Sequence, residues 1–188
     1  MHTITRTTPL RFLAASVLGA TLLAGAPALG ALPPPVAANQ YGLQQVGRGE
    51  LRWLGFGIYE ASLWTADGRY AGFSPGAPVA LSLWYQRKFT REQLVDITTG
   101  EWQRLGVAAP EARTRWEADL RRLWRDVERG DNLTAVVIPG RETRFYDATG
   151  LLGRIEDPAF GPAFLSIWLD SRSAVRDLRA QLLGGGNR

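Results

Sequence analysis

Hydrophobic residues in this chain recur first at every second position, then at every third or fourth, then at every second again, and finally at every third or fourth. A period of two sends side chains to alternate faces of a strand, whereas a period near 3.6 gathers them on one stripe of a helix. The succession predicts strands, helices, strands and helices, which is an α+β fold: a large, mainly antiparallel sheet with helices packed on one face.

Gly47 to Trp53 and Gly57 to Trp64 are the first strand-like runs. In the second, Tyr59, Ala61 and Leu63 share one face and Glu60 and Ser62 take the other. Asp67-Gly68 is a turn signal, and Val79, Leu81, Leu83 and Tyr85 alternate with Ala80, Ser82, Trp84 and Gln86 in a third strand, with Arg87 continuing the Tyr85 face. Thr90 with Gln93 forms a capping-box signature for a helix whose stripe is Leu94, Ile97, Trp102 and Leu105, ended by Gly106. A second helix is expected from about Glu111 to Arg129, on the spacing of Trp116, Leu120, Leu123, Trp124 and Val127. Strands follow over Leu133 to Ile138, Thr143 to Tyr146 and Leu151 to Ile155, with turns at Pro139-Gly140 and Asp147 to Gly150. Asp157-Pro158 opens a helix bearing Phe160, Phe164, Ile167 and Trp168. Ser173 is placed to cap a last helix carrying Val175, Leu178 and Leu182, with Gly184 at its end.

Ahead of these runs, Arg6 and Arg11 precede an apolar stretch from Phe12 to Ala24, and Ala26-Pro27-Ala28 offers small residues where a signal peptidase cuts. The apolar stretch is shorter than the ~20 residues that span a bilayer. Residues 1–28 are expected to be a cleaved signal peptide, residues 29–40 a Pro/Ala-rich linker, residues 41–184 one domain and residues 185–188 a flexible tail. Val36-Ala37-Ala38 is a second possible cut site. Export to the periplasm, or secretion, is the expected address, and no later stretch is long and apolar enough to span a membrane.

Cleavage after Ala28 removes Arg6 and Arg11 and so lowers the net charge from +4 to +2. It also removes His2, the only histidine, and there is no cysteine. The remaining chain offers no Ser-His-Asp triad, no Cys-His pair and no thiolate or imidazole metal ligand. With Met1 the only methionine, His/Met haem ligation is excluded too, and no cofactor or metal is expected. The arginines from Arg104 to Arg129 are interleaved with Glu111, Glu117, Asp119, Asp126 and Glu128, the pattern of a solvated helix face rather than of a nucleic-acid surface.

A set of short segments in order carries a resemblance. Gly47-x-Gly49 with Arg52, Gly57-Ile58-Tyr59 and Ala61-x-Leu63 open it. Gly130-Asp131, Ile138-Pro139-Gly140, Gly153-Arg154-Ile155, Asp157-Pro158-Ala159-Phe160, Ala163-Phe164, Ile167-Trp168-Leu169, Leu178-Arg179 and Leu182-Leu183-Gly184 continue it. Over about residues 41–184 the chain resembles the chalcone isomerase-like family, in its bacterial exported branch. The resemblance implies an open-faced β-sandwich, with a cleft between sheet and helices. It implies two kinds of function: an intramolecular lyase or isomerase that closes a chalcone to a flavanone, or non-catalytic binding of fatty acids in the same cleft. It also implies an arginine on an early strand, for which Arg52 is the nearest match and Arg48 a rival. The threonine that the family places on the next strand falls at about Leu54.

Three readings follow. In the first, a periplasmic, non-catalytic protein binds a small amphipathic or lipid-like ligand through Arg52, Tyr59, Tyr85 and Arg87, because a carboxylate head group fits an arginine fork with a hydroxyl donor. Leu63, Leu83, Leu94, Trp102, Trp124, Phe160 and Phe164 are candidate walls for its apolar part. In the second, Arg52 holds an oxyanion while Tyr85 or Lys88, the only lysine, polarises a carbonyl. In the third, Trp53, Trp64 or Trp84 serves a protein partner in the cell envelope. The carboxylate pairs Glu142 with Asp147 and Glu156 with Asp157 lie in turns, where acidic residues are ordinary.

Overall fold

Short turns tie most of the strands to their neighbours. The computed structural model describes residues 32, 33, 36, 39, 41–74 and 76–185, so the expected signal peptide and the last three residues of the tail lie outside the described residues. Strands β1 (Gln44–Trp53), β2 (Phe56–Thr65), β3 (Val79–Tyr85), β4 (Asn132–Ile138), β5 (Glu142–Asp147) and β6 (Gly150–Ile155) form one six-stranded sheet in sequence order. Every neighbouring pair is antiparallel. Helices α1 (Arg91–Leu105) and α2 (Pro110–Leu123) are inserted between β3 and β4, and α3 (Phe160–Leu169) and α4 (Arg176–Leu182) follow β6. The fold is therefore α+β, an open antiparallel sheet with helices on one face.

The period of two decides which face the helices cover. Ala61, Leu63, Leu81, Leu83, Ala135, Val137 and Phe145 point to one side and join Trp102, Trp116, Leu120, Phe160 and Phe164 in the main core. Helix α1 starts as its capping box requires: the Gln93 amide donates to Thr90 Oγ1 at 3.2 Å and the Thr90 amide to Gln93 Oε1 at 2.9 Å. Gly106 ends it at φ 67°, a left-handed conformation that suits glycine.

The centre of the opposite face is also buried. Ser62, Ser82 and Thr134 lie side by side across β2, β3 and β4. Thr134 Oγ1 donates to Ser82 Oγ at 2.8 Å, and Asn132 Nδ2 donates to Ser82 Oγ at 3.1 Å and Thr134 Oγ1 at 3.0 Å, so the buried hydroxyls are satisfied. Val36, within the stretch expected as a linker, is 1% exposed and packs with Ala80, Val136 and Tyr146 on this face. The packed chain therefore begins ahead of Tyr41.

Three expectations are corrected. The second helix stops at Leu123 and does not reach Arg129. Trp124 is extended (φ −85°, ψ 162°) and turns its ring onto Phe145 and Phe164, which continued helix would prevent. Val127 instead bridges Phe89 as a short β contact, and Asp126 Oδ1 accepts from the Arg91 amide at 2.9 Å, so the displaced segment helps to cap α1. Ser173 does not cap the last helix: Val175 stands at that position, while Ser173 Oγ donates to the Ile167 carbonyl at 2.7 Å and accepts from the Val175 amide at 3.2 Å. On α1, Ile97 is exposed, and Val95 and Thr98 are buried beside Leu94, Trp102 and Leu105.

Candidate functional site

Tyr59 on β2 stands directly opposite Tyr85, the last residue of β3. Their rings meet edge to face at 6.1 Å, and Tyr85 lies 5.9 Å from the Phe89 ring. Between β1 and β2 the register slips: Leu51 pairs with Tyr59 and Arg52 with Gly57, so Ile58 is skipped in the pairing. Such a bulge re-aims side chains, and here Ile58 and Tyr59 both face the space under the helices. Leu94, Ile97, Thr98 and Glu101 of α1, Phe164, Ile167 and Trp168 of α3, and Ala174 with Val175 ahead of α4 close the other sides. The result is an apolar cavity of about 190 Å³.

Polar atoms in this cavity are few. Trp168 Nε1 donates to Tyr59 Oη at 2.9 Å. Burial pushes the Tyr59 hydroxyl far above the ordinary phenol range, against the Trp168 hydrogen bond and with the help of the Glu101 charge. Burial does the same to Tyr85, with Tyr59 adding to it. Both phenols are neutral at any physiological pH and serve as hydrogen-bonding groups in an apolar wall.

The cavity adjoins an open groove. Leu51, Ile58, Phe89, Ile97, Glu101, Ala174 and Val175 line both, so they form the mouth. Ile97 at this mouth is 57% exposed, although the helical period predicts it in the core. The outer groove is charged: Arg52, Arg87, Lys88 and Arg176 line it, with Glu50 and Asp177. Arg52 Nη1 is 3.0 Å from Glu50 Oε2 and Lys88 Nζ is 2.7 Å from Glu128 Oε1. Among the described residues, no carboxylate lies within ion-pair distance of Arg87 or Arg176, leaving these two cations available to an anionic head group.

The structure thus splits the sequence-predicted residues into two groups. Tyr59 and Tyr85 line the cavity; Arg52, Arg87 and Lys88 line the groove outside it. Arg52 is kept out by strand alternation, because Leu51 takes the cavity side and Arg52 falls with Glu50 on the other. Its Nη2 donates to the Gly55 carbonyl at 2.6 Å, which holds it at the end of the hairpin. Arg48, paired with Ser62, is also on the face away from the helices. Leu54 lies in the β1–β2 turn at φ 49° and is 75% exposed, so it does not occupy a strand position.

Of the candidate apolar walls, Leu83, Leu94, Trp124 and Phe164 line the cavity. Leu63, Trp102 and Phe160 are fully buried in the filled part of the core. Glu101, Thr98 and Trp168 are among the site residues that the sequence reading missed. One signal was present: Glu101 and Thr98 share the helical stripe of Leu94 and Leu105, where a carboxylate is out of place.

The remaining candidates have structural roles. Glu142 and Asp147 stand at opposite ends of β5, about 16 Å apart at ~3.3 Å per residue, beyond the ~5–9.5 Å that paired-carboxylate hydrolysis needs. Glu142 is 2.6 Å from Arg144 and Asp147 is 2.6 Å from Arg125. Asp157 accepts from Trp116 Nε1 and from the Ala159 amide, both at 2.9 Å, while Glu156 is 2.7 Å from Arg154. Trp84 is 7% exposed, too buried to serve a second protein; Trp64 is half-buried, its Nε1 donating to Ser62 Oγ at 2.9 Å. Trp53 alone of the three is exposed, at 65%.

Comparison with known proteins agrees with the fold. The model of a family described as chalcone isomerase-like matches residues 31–184. The chain is 26% identical over 141 residues to an uncharacterized protein of Haemophilus influenzae, a match that covers 75% of this chain and 68% of that one. Its fold is similar to the crystal structure of an Arabidopsis thaliana fatty-acid binding protein, with a TM-score of 0.58 and 11% identity over 76% of this chain and 87% of the other.

Proposed function

The chain belongs to the chalcone isomerase-like family, and we propose that it is a non-catalytic member that holds a small amphipathic molecule, a fatty acid or similar lipid, between its sheet and its helices. The observation that carries this reading is an apolar cavity whose mouth opens on a groove lined by Arg87 and Arg176, which among the described residues have no carboxylate within ion-pair distance. An engineered cavity of about 150 Å³ takes a benzene-sized molecule, and whole drug-sized ligands need roughly 300–1,000 Å³. At about 190 Å³ this cavity suits one ring or a short alkyl segment, so a longer ligand continues into the groove. There Arg87 and Arg176 suit a carboxylate. The fatty-acid binding of the similarly folded Arabidopsis protein supports the same ligand class.

The chemistry of the cavity supports binding over turnover. Its phenols are held neutral by burial, Arg52 turns away from it, and the position matched to the family's threonine is a leucine in an exposed turn. Chalcone closure above the spontaneous rate would contradict this part of the reading.

Dodecanoate titrated by calorimetry tests the binding. Saturable binding to the wild-type chain is expected. Ala174→Trp fills the exposed mouth rather than the core, so it should weaken binding by about tenfold or more, or about 1.4 kcal/mol, with unchanged thermal stability. Equal affinity in both proteins, or none in either, would sink the proposal.

Export to the periplasm is part of the same reading. Cleavage after Ala28 keeps Val36, whose side chain is seated against Ala80, Val136 and Tyr146, whereas cleavage after Ala38 would discard it. The intact mass of the exported protein should match a chain beginning at Leu29; a chain beginning at Asn39, or one retaining Met1, would contradict this.

A further inference from the structure

The β1–β2 hairpin ends in a two-residue turn, Leu54-Gly55, with both residues at positive φ (49° and 82°). Turns of this kind favour Asn-Gly or Asp-Gly, because small polar residues tolerate the left-handed region and branched apolar ones do not. A leucine here is disfavoured by backbone geometry, and at 75% exposure it contributes nothing to the core. Trp53 and Phe56 face each other across the turn and are 65% and 67% exposed. Three large apolar side chains are thus displayed together at one tip, and neither burial nor turn chemistry accounts for them.

Basic residues surround them. Arg87 and Arg129 line one surface depression with Trp53, Leu54 and Phe56. Both arginines are exposed, and among the described residues neither has a carboxylate within ion-pair distance. Arg52 braces the turn through the Gly55 carbonyl. An apolar point with an unneutralised cationic collar is complementary to one kind of surface: apolar just below, anionic at the level of the collar.

We propose that the Trp53-Leu54-Gly55-Phe56 tip docks on an anionic lipid bilayer, its apolar side chains entering the headgroup–acyl boundary while Arg87 and Arg129 engage lipid phosphates. Tryptophan suits that boundary, having an apolar body and a polar edge, and arginine suits phosphate. Trp53 and Arg87 also line the groove outside the cavity, so a docked tip sets the mouth beside the membrane surface. The inference rests on the tip alone and does not depend on what fills the cavity.

The chain has no cysteine, so Leu54→Cys carries a single environment-sensitive dye at the tip. Ala66→Cys, just beyond the far end of β2, is the control position. With vesicles of phosphatidylglycerol in phosphatidylcholine, the Leu54 label should shift to the blue and the Ala66 label should not; with phosphatidylcholine alone, the shift should need much more lipid. Each Arg→Gln change at 87 and 129 should raise the lipid needed for half-saturation by about fivefold. Phe56→Cys samples the same tip if the first variant does not fold. No shift at the tip, an equal shift at the control position, or indifference to both arginines would overturn the proposal; a tip that shifts only with a protein partner would do the same.

Discussion

Phe160→Ala is expected to lower folding stability by about 4 kcal/mol. Phe160 opens α3 and is 0% exposed. Its ring lies 5.5 Å from Trp116, 5.7 Å from Phe164, and 5.9 Å from both Trp102 and Phe145. One side chain thus joins α1, α2, α3 and the sheet. The cost of the change depends on whether the neighbours can close the void, and here they are tethered. Trp102 Nε1 donates to the Ala163 carbonyl at 3.0 Å and Trp116 Nε1 to Asp157 Oδ2 at 2.9 Å, so a ring that swung inward would strand a buried donor. The next residue, Gly161, already lets α3 come as close to β4 and β5 as the chain allows, since a Cβ there would lie 2.5 Å from Val137 Cγ1 and 2.8 Å from Thr143 Oγ1. Urea unfolding should show a lower midpoint with an unchanged slope. Leu151→Ala, at a side chain 55% exposed, should stay within about 0.5 kcal/mol of wild type. A Phe160→Ala cost no larger than that control would mean that the aromatic cluster does not hold the helix layer in place.

The second large effect separates two glycines that look alike in the sequence. A Cβ on Gly47 would collide with the backbone carbonyl of Gln181 and lie 2.6 Å from that of Leu182. On Gly49 it would meet the side chain of Gln181, which can move. Gly47→Ala must therefore push α4 off β1, at an expected cost of about 2–3 kcal/mol, whereas Gly49→Ala should cost about 1 kcal/mol or less. The displacement reaches the site, because Ala174 and Val175, just ahead of α4, form part of the cavity mouth. Dodecanoate affinity should fall with Gly47→Ala and survive Gly49→Ala. Equal effects of the two changes on stability and binding would show that α4 does not dock on β1 through this contact.

Much of the fold was legible because the periods of two and 3.6 are strong where one face is buried. Val79 to Tyr85 and the α1 capping box are found where the sequence puts them. What escaped depends on contacts that periodicity does not carry. Val127 continues the helical spacing of Trp116 and Leu120, yet Trp124 leaves the helix because its ring packs on Phe145 and Phe164, which lie elsewhere in sequence. Ser62 alternates onto the face away from the helices, and the centre of that face is buried as well, with Val36 seated on it. At the site, Tyr59 and Tyr85 were accessible from alternation alone. Ile97 and Trp168 were not available as cavity residues, because helical spacing says that a side chain faces the sheet and not whether the sheet side there is filled. Arg52 was drawn to the site by its strand position and its likeness to the family arginine, and alternation with Leu51 sends it to the other face.

The central claim is that the space between Tyr59, Tyr85 and the helices receives the apolar part of an amphipathic ligand. The most direct test is a titration of the protein with dodecanoate, followed by methyl NMR. Signals of Leu83, Leu133 and Ile167, which line the cavity, should move and saturate together, while those of Leu63, buried in the filled core, should stay in place. If the cavity methyls do not move, or if only surface methyls such as those of Leu151 do, the cavity is not the binding site.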